Sequence, residues 1–491
     1  MNAATRTQHV ATLRGASRGL SIVGQDSTLA AVFVRVPSLE SLSWLRRQPF
    51  VDYVEPNLAV KGEFAMQSDD PCLFPAPVHS AVLDAYGEIV NPPFVTQNLY
   101  KAWVISQGAG VTLGLADAVI SWNQTEFYPT ESDPDGGFAT GLSVGRIFEQ
   151  AGGGTDCSHA TRMAILMAGP RNGRGTNGVA WKANLRSGGA LNGPNIQWGP
   201  SMTQTMLGVR YAANEEDIVA KHVVAMAFGQ WTWSDLLAEE ISRLYYQHDV
   251  LLIGAAGTHF PNVFGGSDVV VFPASMPEVF AVSATTTEGG KDPESSGNAK
   301  VELTALTDNL VGNVNIYASP SNSNTLTQLS HSSSATAVIS GVAALVRSRF
   351  PELNNASVRF QLTRRSLGNC APGRQDWKPV VDALAAVGSF CGSYVLGSIA
   401  PVEFNCLYSP AKIITVYPSP TIGQNPFTFA WSNGSTQQST TYAVYPPQGT
   451  TKLWYNTTAV SLTATDPMLG ESRTESTFIL ARVKDLTTCH S

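Results

Sequence analysis

The sequence predicts an α/β protein. Its central part is a mainly parallel sheet with helices on both faces, with a small α+β unit before it and an all-β sandwich after it. Three observations lead there. Between residues 94 and 390, apolar strand-like runs alternate with helix-like stretches, the pattern of a parallel sheet covered on both sides. From 391 to 491, short strand-like runs are separated by turns such as Asn433-Gly434 and Pro446-Pro447-Gln448-Gly449. Residues 1–67 carry one strand–helix–strand unit, and residues 68–93, rich in Pro, Asp and small side chains, read as a linker.

In chain order, residues 30–36 are a β-branched, apolar run and read as a strand. Pro37-Ser38 then opens a short helix that aligns Leu39, Leu42 and Leu45. Residues 51–57 read as a second strand, stopped by Pro56. In the central part the expected strands are 111–116, 222–227, 250–254, 269–272 and 279–284. The expected helices are 160–167, 203–213, 236–246, 335–350 and 356–364. The expected C-terminal strands are 413–417, 427–431, 441–445, 452–455, 460–464 and 478–483.

Composition narrows the function. Of the 491 residues, 43% are hydrophobic, which argues against a disordered chain. Only 14% are charged, against about 25% in an average soluble protein, and this suits a secreted, loop-rich protein. A net charge of −7 and the absence of a Lys/Arg block argue against nucleic-acid binding. The six cysteines, at 72, 157, 370, 391, 406 and 489, include no CxxC pair, so a structural zinc site is not expected. They suit either three disulfides or buried thiols, with Cys370/Cys391 and Cys406/Cys489 as plausible pairs. Residues 1–20 lack the apolar core of a signal peptide. Residues 383–402 carry no charge but hold three Gly, three Ser and a Cys, so they read as a helix end and linker rather than a membrane span.

Three segments carry chemistry. The buried run Gly110–Ala116 ends on Asp117, which places a carboxylate at a sheet's carboxyl edge. His159 stands at the start of an apolar helix. Ser333 lies in a Ser-rich turn that feeds a long Ala/Val-rich helix, among free backbone N–H groups and the positive end of the helix dipole. Each residue alone suits a cap or a local hydrogen bond. Together, in the order Asp, His, Ser, they suit an acid–base–nucleophile triad. Gly141-Leu142-Ser143-Val144-Gly145 and Gly15-Ala16-Ser17-Arg18-Gly19 also match a nucleophile elbow, but they lack the flanking strand and helix that elbow needs. The remaining histidines form no metal-ligand spacing. Sequons begin at Asn123, Asn355, Asn433 and Asn456.

The chain resembles the subtilisin-like serine peptidases. His331-Ser332-Ser333-Ser334-Ala335-Thr336 through Gly341-Val342-Ala343-Ala344-Leu345 is similar to the family's G-T-S-M-A-T…G-V-A-A-L, which puts the nucleophile at Ser333. His159 to Gly169 is similar to H-G-T-x-V-A-G, Gly178 to Ala183 to G-V-A-P-x-A, and Phe272-Pro273-Ala274 to Y-P-A. Residues 1–67 resemble the family's inhibitory propeptide, especially in the strand–helix unit that ends on Val51-Asp52-Tyr53-Val54-Glu55-Pro56-Asn57, and the resemblance implies a propeptide junction between about residues 58 and 93.

The resemblance implies peptide hydrolysis by Asp117, His159 and Ser333, and an oxyanion donor at Thr258. It also implies extended substrate along Ala227, Phe228, Gly229, Ala256 and Gly257. No cofactor is required. Structural calcium is common in the family, but the scatter of Asp and Glu locates no site. The expected partners are a polypeptide substrate and the chain's own propeptide as intramolecular inhibitor, in a secreted monomer whose export signal lies outside this sequence.

The chain departs from the family at several points. Thr258 stands where the family has the oxyanion Asn, with His259 and Asn262 as substitutes. Ala160 follows the catalytic His in place of Gly, His331-Ser332 replaces Gly-Thr, and Asp117 is followed by Ala118-Val119. The alternative is a weak or inactive relative that serves as a protein- or glycan-binding scaffold, with Trp431, Tyr442, Tyr445, Trp454 and Tyr455 as its aromatic face.

Overall fold

The computed structural model describes residues 3–57 apart from 17, 89–120 apart from 119, 158–189 apart from 172–174, 202–213, 221–257, 268–315 apart from 309, 324–367 apart from 330, 376–388, 399–418 apart from 406–408, 428–446 apart from 438, 455–466 and 471–483. The N-terminal part comprises α1 (Ala3–Gly15), β1 (Ser21–Asp26), β2 (Ala31–Arg35) and α2 (Leu39–Arg46). The central part follows as α3 (Pro92–Thr96), α4 (Leu99–Ala102), β3 (Val111–Asp117), α5 (Ser158–Ala168), β4 (Asn184–Gly189), α6 (Met202–Ala213), β5 (Lys221–Met226), α7 (Asp235–Gln247), β6 (Leu251–Ala255), β7 (Val279–Thr285) and β8 (Leu303–Leu306). It ends with β9 (Leu310–Asn315), β10 (Asn324–Leu329), α8 (His331–Arg349), α9 (Asn355–Arg364) and α10 (Ala383–Val387). The C-terminal strands are β11 (Val402–Phe404), β12 (Lys412–Val416), β13 (Thr428–Trp431), β14 (Thr440–Val444), β15 (Tyr455–Asp466) and β16 (Glu471–Val483).

Six strands form the central sheet in the order β4-β3-β5-β6-β7-β8, every neighbouring pair parallel. Every residue of β3, β6 and β7 is buried, which explains why these strands are apolar on both faces. Helices α5 and α8 touch each other and cover one face; α6 and α7 touch each other and cover the other. The chain steps from β3 to β4 on one side, then crosses back to β5 on the other. Strand order therefore reverses between β3 and β5, and in such sheets ligands bind beyond the carboxyl ends of the strands at that reversal.

Helix α8 is the central buttress, buried from Ser334 to Arg347. It passes the turn around Val179 so closely that a Cβ on Gly341 would lie 2.4 Å from the Val179 Cβ. We expect Gly341→Ala to cost about 1–3 kcal/mol and lower the melting midpoint by several degrees. An unchanged midpoint in thermal denaturation would contradict this close approach.

The N-terminal part pairs β1 with β2 antiparallel, with a bulge between Ile22 and Gly24. A two-stranded ribbon is marginal on its own. A cavity of about 580 Å³ lies between this part and the central part, lined by His9, Leu13, Phe33 and Phe50 on one side and by Leu236 and Glu239 of α7 on the other. Three expectations change here. Residues 3–15, for which the sequence suggests no element, form α1 and bury Val10 and Leu13. Leu39 is 82% exposed, because it opens α2 rather than sharing the buried face of Leu45. Residues 51–57 are not a sheet strand; Asn57 and Glu55 dock on the starts of α6 and α7 instead.

In the central part, residues 269–272 make only an isolated bridge between Phe272 and Gln230 instead of a strand. The C-terminal strands form a mixed sheet, β11-β16-β15-β13, and a separate antiparallel pair, β12-β14. Of the expected aromatic face, Trp454 and the side chain of Tyr455 lie outside what the structure describes. Trp431 and Tyr442 are buried, with Trp431 Nε1 donating to the Gln437 carbonyl, while Tyr445 is exposed. No helix among the described residues is long and apolar enough to cross a membrane.

Candidate active site

The strand-order reversal brings together the residues that the sequence singles out. Asp117 is the last residue of β3 and fully buried. Its Oδ1 accepts the Ala118 N–H at 2.6 Å, which fixes the carboxylate at the strand end. His159 enters on the first turn of α5, and its Nδ1 lies 3.1 Å from Asp117 Oδ1 and 2.9 Å from Oδ2. With Nδ1–H directed at the carboxylate, Nε2 carries the lone pair.

Ser333 lies in the first turn of α8, and its Oγ donates to the Ala227 carbonyl at 3.2 Å. Ala116 pairs with Met226, so Ala227 and Asp117 are the next residues of neighbouring strands. Adjacent strands lie about 4.8 Å apart, which sets the nucleophile's anchor beside the carboxylate that orients the base.

Arg162, one turn after His159 on α5, is a charged group that the sequence reading did not use. It is 6% exposed, and burial pushes its guanidinium down to about 10 against the opposing pull of Asp117. A pKa near 10 leaves it cationic at neutral pH, so its positive field falls on Asp117.

Of the other expected site residues, Thr258, His259 and Asn262 lie outside the described residues. Gly257 is described, with φ +116°. Its N–H donates to Ser332 Oγ at 3.3 Å, and its carbonyl accepts from Ser332 Oγ at 3.1 Å and from the Ser296 N–H at 2.7 Å. Ala256 donates to the Val282 carbonyl and accepts from the Val271 N–H. The backbone of Ala256 and Gly257 is thus taken up by the protein itself and is not left for strand pairing with a peptide; these residues form wall. Ala227, Phe228 and Gly229 continue β5 beyond the sheet, and among the described residues no backbone hydrogen bond holds Phe228 or Gly229.

Ser332 was missed in the sequence reading, although it lies inside the nucleophile's own motif. The six cysteines lie outside the described residues, as do residues 58–88 of the stretch 58–93 in which the junction is expected. Among the described residues, no cluster of His, Cys, Asp and Glu is suited to hold a metal ion.

This fold and site define the class of subtilisin-like serine peptidases. Residues 108–379 match the model of the subtilase family, Peptidase_S8, over more than half of the chain, and the chain belongs to that family. It is 29% identical over 208 residues to a thermostable alkaline protease of Halalkalibacterium halodurans, covering 42% of this chain and 51% of that protein. It is 27% identical over 265 residues to subtilisin DY of Bacillus licheniformis, covering 54% and 86%. The chain thus spans about half the length of the first relative. The solved MycP3 protease of the type VII (ESX-3) secretion system is 26% identical, with a TM-score of 0.47, covering 63% of this chain and 91% of that one.

Proposed function

We propose that the chain is a secreted serine endopeptidase that cleaves peptide bonds through Asp117, His159 and Ser333. The observation that carries this reading is the His159–Asp117 contact at 2.9–3.1 Å, made at the strand-order reversal where Ser333 is anchored on the next strand. Ser333 Oγ swings from the Ala227 carbonyl to His159 Nε2 and attacks the scissile carbonyl carbon as His159 takes its proton. The oxyanion forms at the N-terminus of α8, where first-turn N–H groups lack helical partners, with Thr258 as an additional donor. His159 passes the proton to the leaving amine. Water then repeats the sequence on the acyl-enzyme and frees Ser333. Substrate lies extended along Ala227, Phe228 and Gly229. The low charge content supports secretion.

In the same reading residues 1–67 are an inhibitory propeptide, 68–93 a linker, 94–390 the catalytic domain and 391–491 a C-terminal β-domain. The contacts of residues 26–57 with α6 and α7 support it. Glu55 Oε1 accepts from Ser234 Oγ at 2.9 Å and Oε2 from the Asp235 N–H at 2.8 Å, capping α7. Asn57 Oδ1 accepts the Thr203 N–H at 3.1 Å at the start of α6. Asp26 pairs with Arg210 at 2.6 Å, and Arg210 also holds the buried Glu240.

Burial alone would raise the Asp26 and Glu240 carboxyls, but Arg210, joined at Glu240 by Arg243 and at Asp26 by backbone N–H groups, outweighs it and holds both below the usual carboxylate range. Glu240 lies with Arg210 and Arg243 in the central part, so only Asp26 crosses to the N-terminal part; its lowered carboxyl stabilises the docked state above its ordinary value, and that contribution is lost as pH falls through the lowered one. The Asp26–Arg210 docking pair therefore weakens below roughly pH 4.

We expect Glu55→Ala to remove about 1–2 kcal/mol of docking. In a Ser333→Ala background this speeds cleavage of the N-terminal part by an added protease roughly 5–30-fold. An unchanged cleavage rate would contradict the cap.

The reading as a whole is tested by intact mass after expression. Wild type should lose its N-terminal part at a site between residues 58 and 93, while Ser333→Ala stays full length. Two full-length chains would favour the inactive relative.

A further inference from the structure

The turn before the nucleophile is held by groups that the mechanism above does not use. His331, directly ahead of Ser332 and Ser333, adopts φ +70°, a conformation natural to glycine and strained for other residues. Three contacts from one loop hold it there. The His331 N–H donates to Asp292 Oδ2 at 3.3 Å, the imidazole Nδ1 lies 3.6 Å from Asp292 Oδ1, and Nε2 lies 2.9 Å from Glu294 Oε2. Asp292 is only 4% exposed. Burial would raise its carboxyl, but the His331 imidazole and the N–H groups of Glu294 and His331 outweigh that and keep it ionised.

The same loop grips the other half of the site. The Ser296 N–H donates to the Gly257 carbonyl at 2.7 Å, and Ser332 Oγ bonds both the N–H and the carbonyl of Gly257. The loop is itself anchored: the Glu294 N–H donates to Asp292 Oδ1 at 2.8 Å, and Ser283 Oγ donates to the Ser296 carbonyl at 2.6 Å.

We propose that residues 292–296 form a clamp in which Asp292 and Glu294, acting through His331, position the Ser333 nucleophile against the Gly257 turn. The clamp rests on the reading of Ser333 as nucleophile. Asp292, Glu294 and His331 are positioning residues, because none of them touches the reacting atoms. The imidazole replaces the freedom of a glycine with a turn locked by charge, and Ser332 transmits that lock to the residue preceding Thr258.

The test uses the full chain and its His331→Gly and Asp292→Asn variants. His331→Gly keeps the turn's backbone without strain but removes the imidazole. Asp292→Asn keeps an acceptor for the His331 N–H but removes the charge. Three quantities are measured: kcat and KM on a chromogenic peptide, the rate at which a fluorophosphonate labels Ser333, and the melting midpoint. Labelling end-points normalise the active fraction.

Each variant should lower kcat and the labelling rate by on the order of 10–100-fold with KM within about twofold, because small misplacements of a reacting atom cost that much. The His331→Gly midpoint should stay near wild type, which keeps the test valid if Asp292→Asn folds poorly. Wild-type kcat and labelling in His331→Gly would overturn the clamp, as would a raised KM with unchanged kcat. If instead Ser333→Ala turns over like wild type, the nucleophile reading falls and takes the clamp with it.

Discussion

Replacing Ser333 with alanine lowers kcat by roughly 10⁶-fold, the magnitude found when the nucleophile of a Ser-His-Asp enzyme is removed, while KM stays close to wild type. The substitution deletes one oxygen whose recorded hydrogen bond is to the Ala227 carbonyl. Ser333 is only partly buried in the first turn of α8, so no cavity opens in the core and the fold survives. What remains is the helix N-terminus and the segment proposed to bind substrate, which in this account still hold a peptide and stabilise charge. Residual turnover over water of about 10³–10⁴ is therefore expected rather than none. Steady-state kinetics on a peptide substrate with active-site titration measure the effect. A fall of less than tenfold would remove Ser333 from the chemistry.

Asp117→Asn is the second large effect, with kcat down by about 10⁴-fold. The carboxylate is fully buried, and the His159 Nδ1 straddles its two oxygens at 3.1 and 2.9 Å. An amide in that position keeps the size and the Ala118 hydrogen bond, but it offers an N–H to Nδ1. The imidazole then shifts its proton to Nε2 and cannot accept one from Ser333. The proposed substrate contacts lie on the β5 extension and not on Asp117, so KM is expected to change little. An Asn variant with near wild-type kcat would show that His159 is oriented by another group.

The parts of the fold legible in the sequence are those whose burial is total. Strands β3, β5, β6 and β7 are continuous apolar runs because both faces are covered, and their observed ends lie within about two residues of the expected ones. Strand β8 has only four residues and gives no readable run, and β4, although six residues long, carries Arg186, Gly188 and Gly189 in place of an apolar run. The hairpin of β9 and β10 is rich in Asn and Thr and shows no apolar run. Helix α1 lacks a strong apolar face, so only packing reveals it. Tyr455 and the expected strand 460–464 lie together in the long β15, whose register slips between Asn456 and Thr458, while residues 452–454 of the expected strand 452–455 lie outside the described ones.

Within the site, Asp117, His159 and Ser333 were legible because each sits in a local motif at the end of a strand or the start of a helix. Asp292, Arg162 and Ser332 were not, for a physical reason. Their roles come from partners such as His331, Asp117 and Gly257, which only the fold brings close. The same holds for Ala256 and Gly257. Their sequence suggested strand pairing with substrate, but tertiary hydrogen bonds to Val282, Val271, Ser296 and Ser332 already use their backbone.

The central claim is that Ser333, activated by His159, is the nucleophile. The most direct measurement is reaction of the full chain with a fluorophosphonate, followed by fragmentation of the modified peptide. The account predicts a single adduct on Ser333, absent from Ser333→Ala and formed much more slowly in Asp117→Asn. No adduct on wild type, or one on Ser332 or Ser334 that persists in Ser333→Ala, would contradict it.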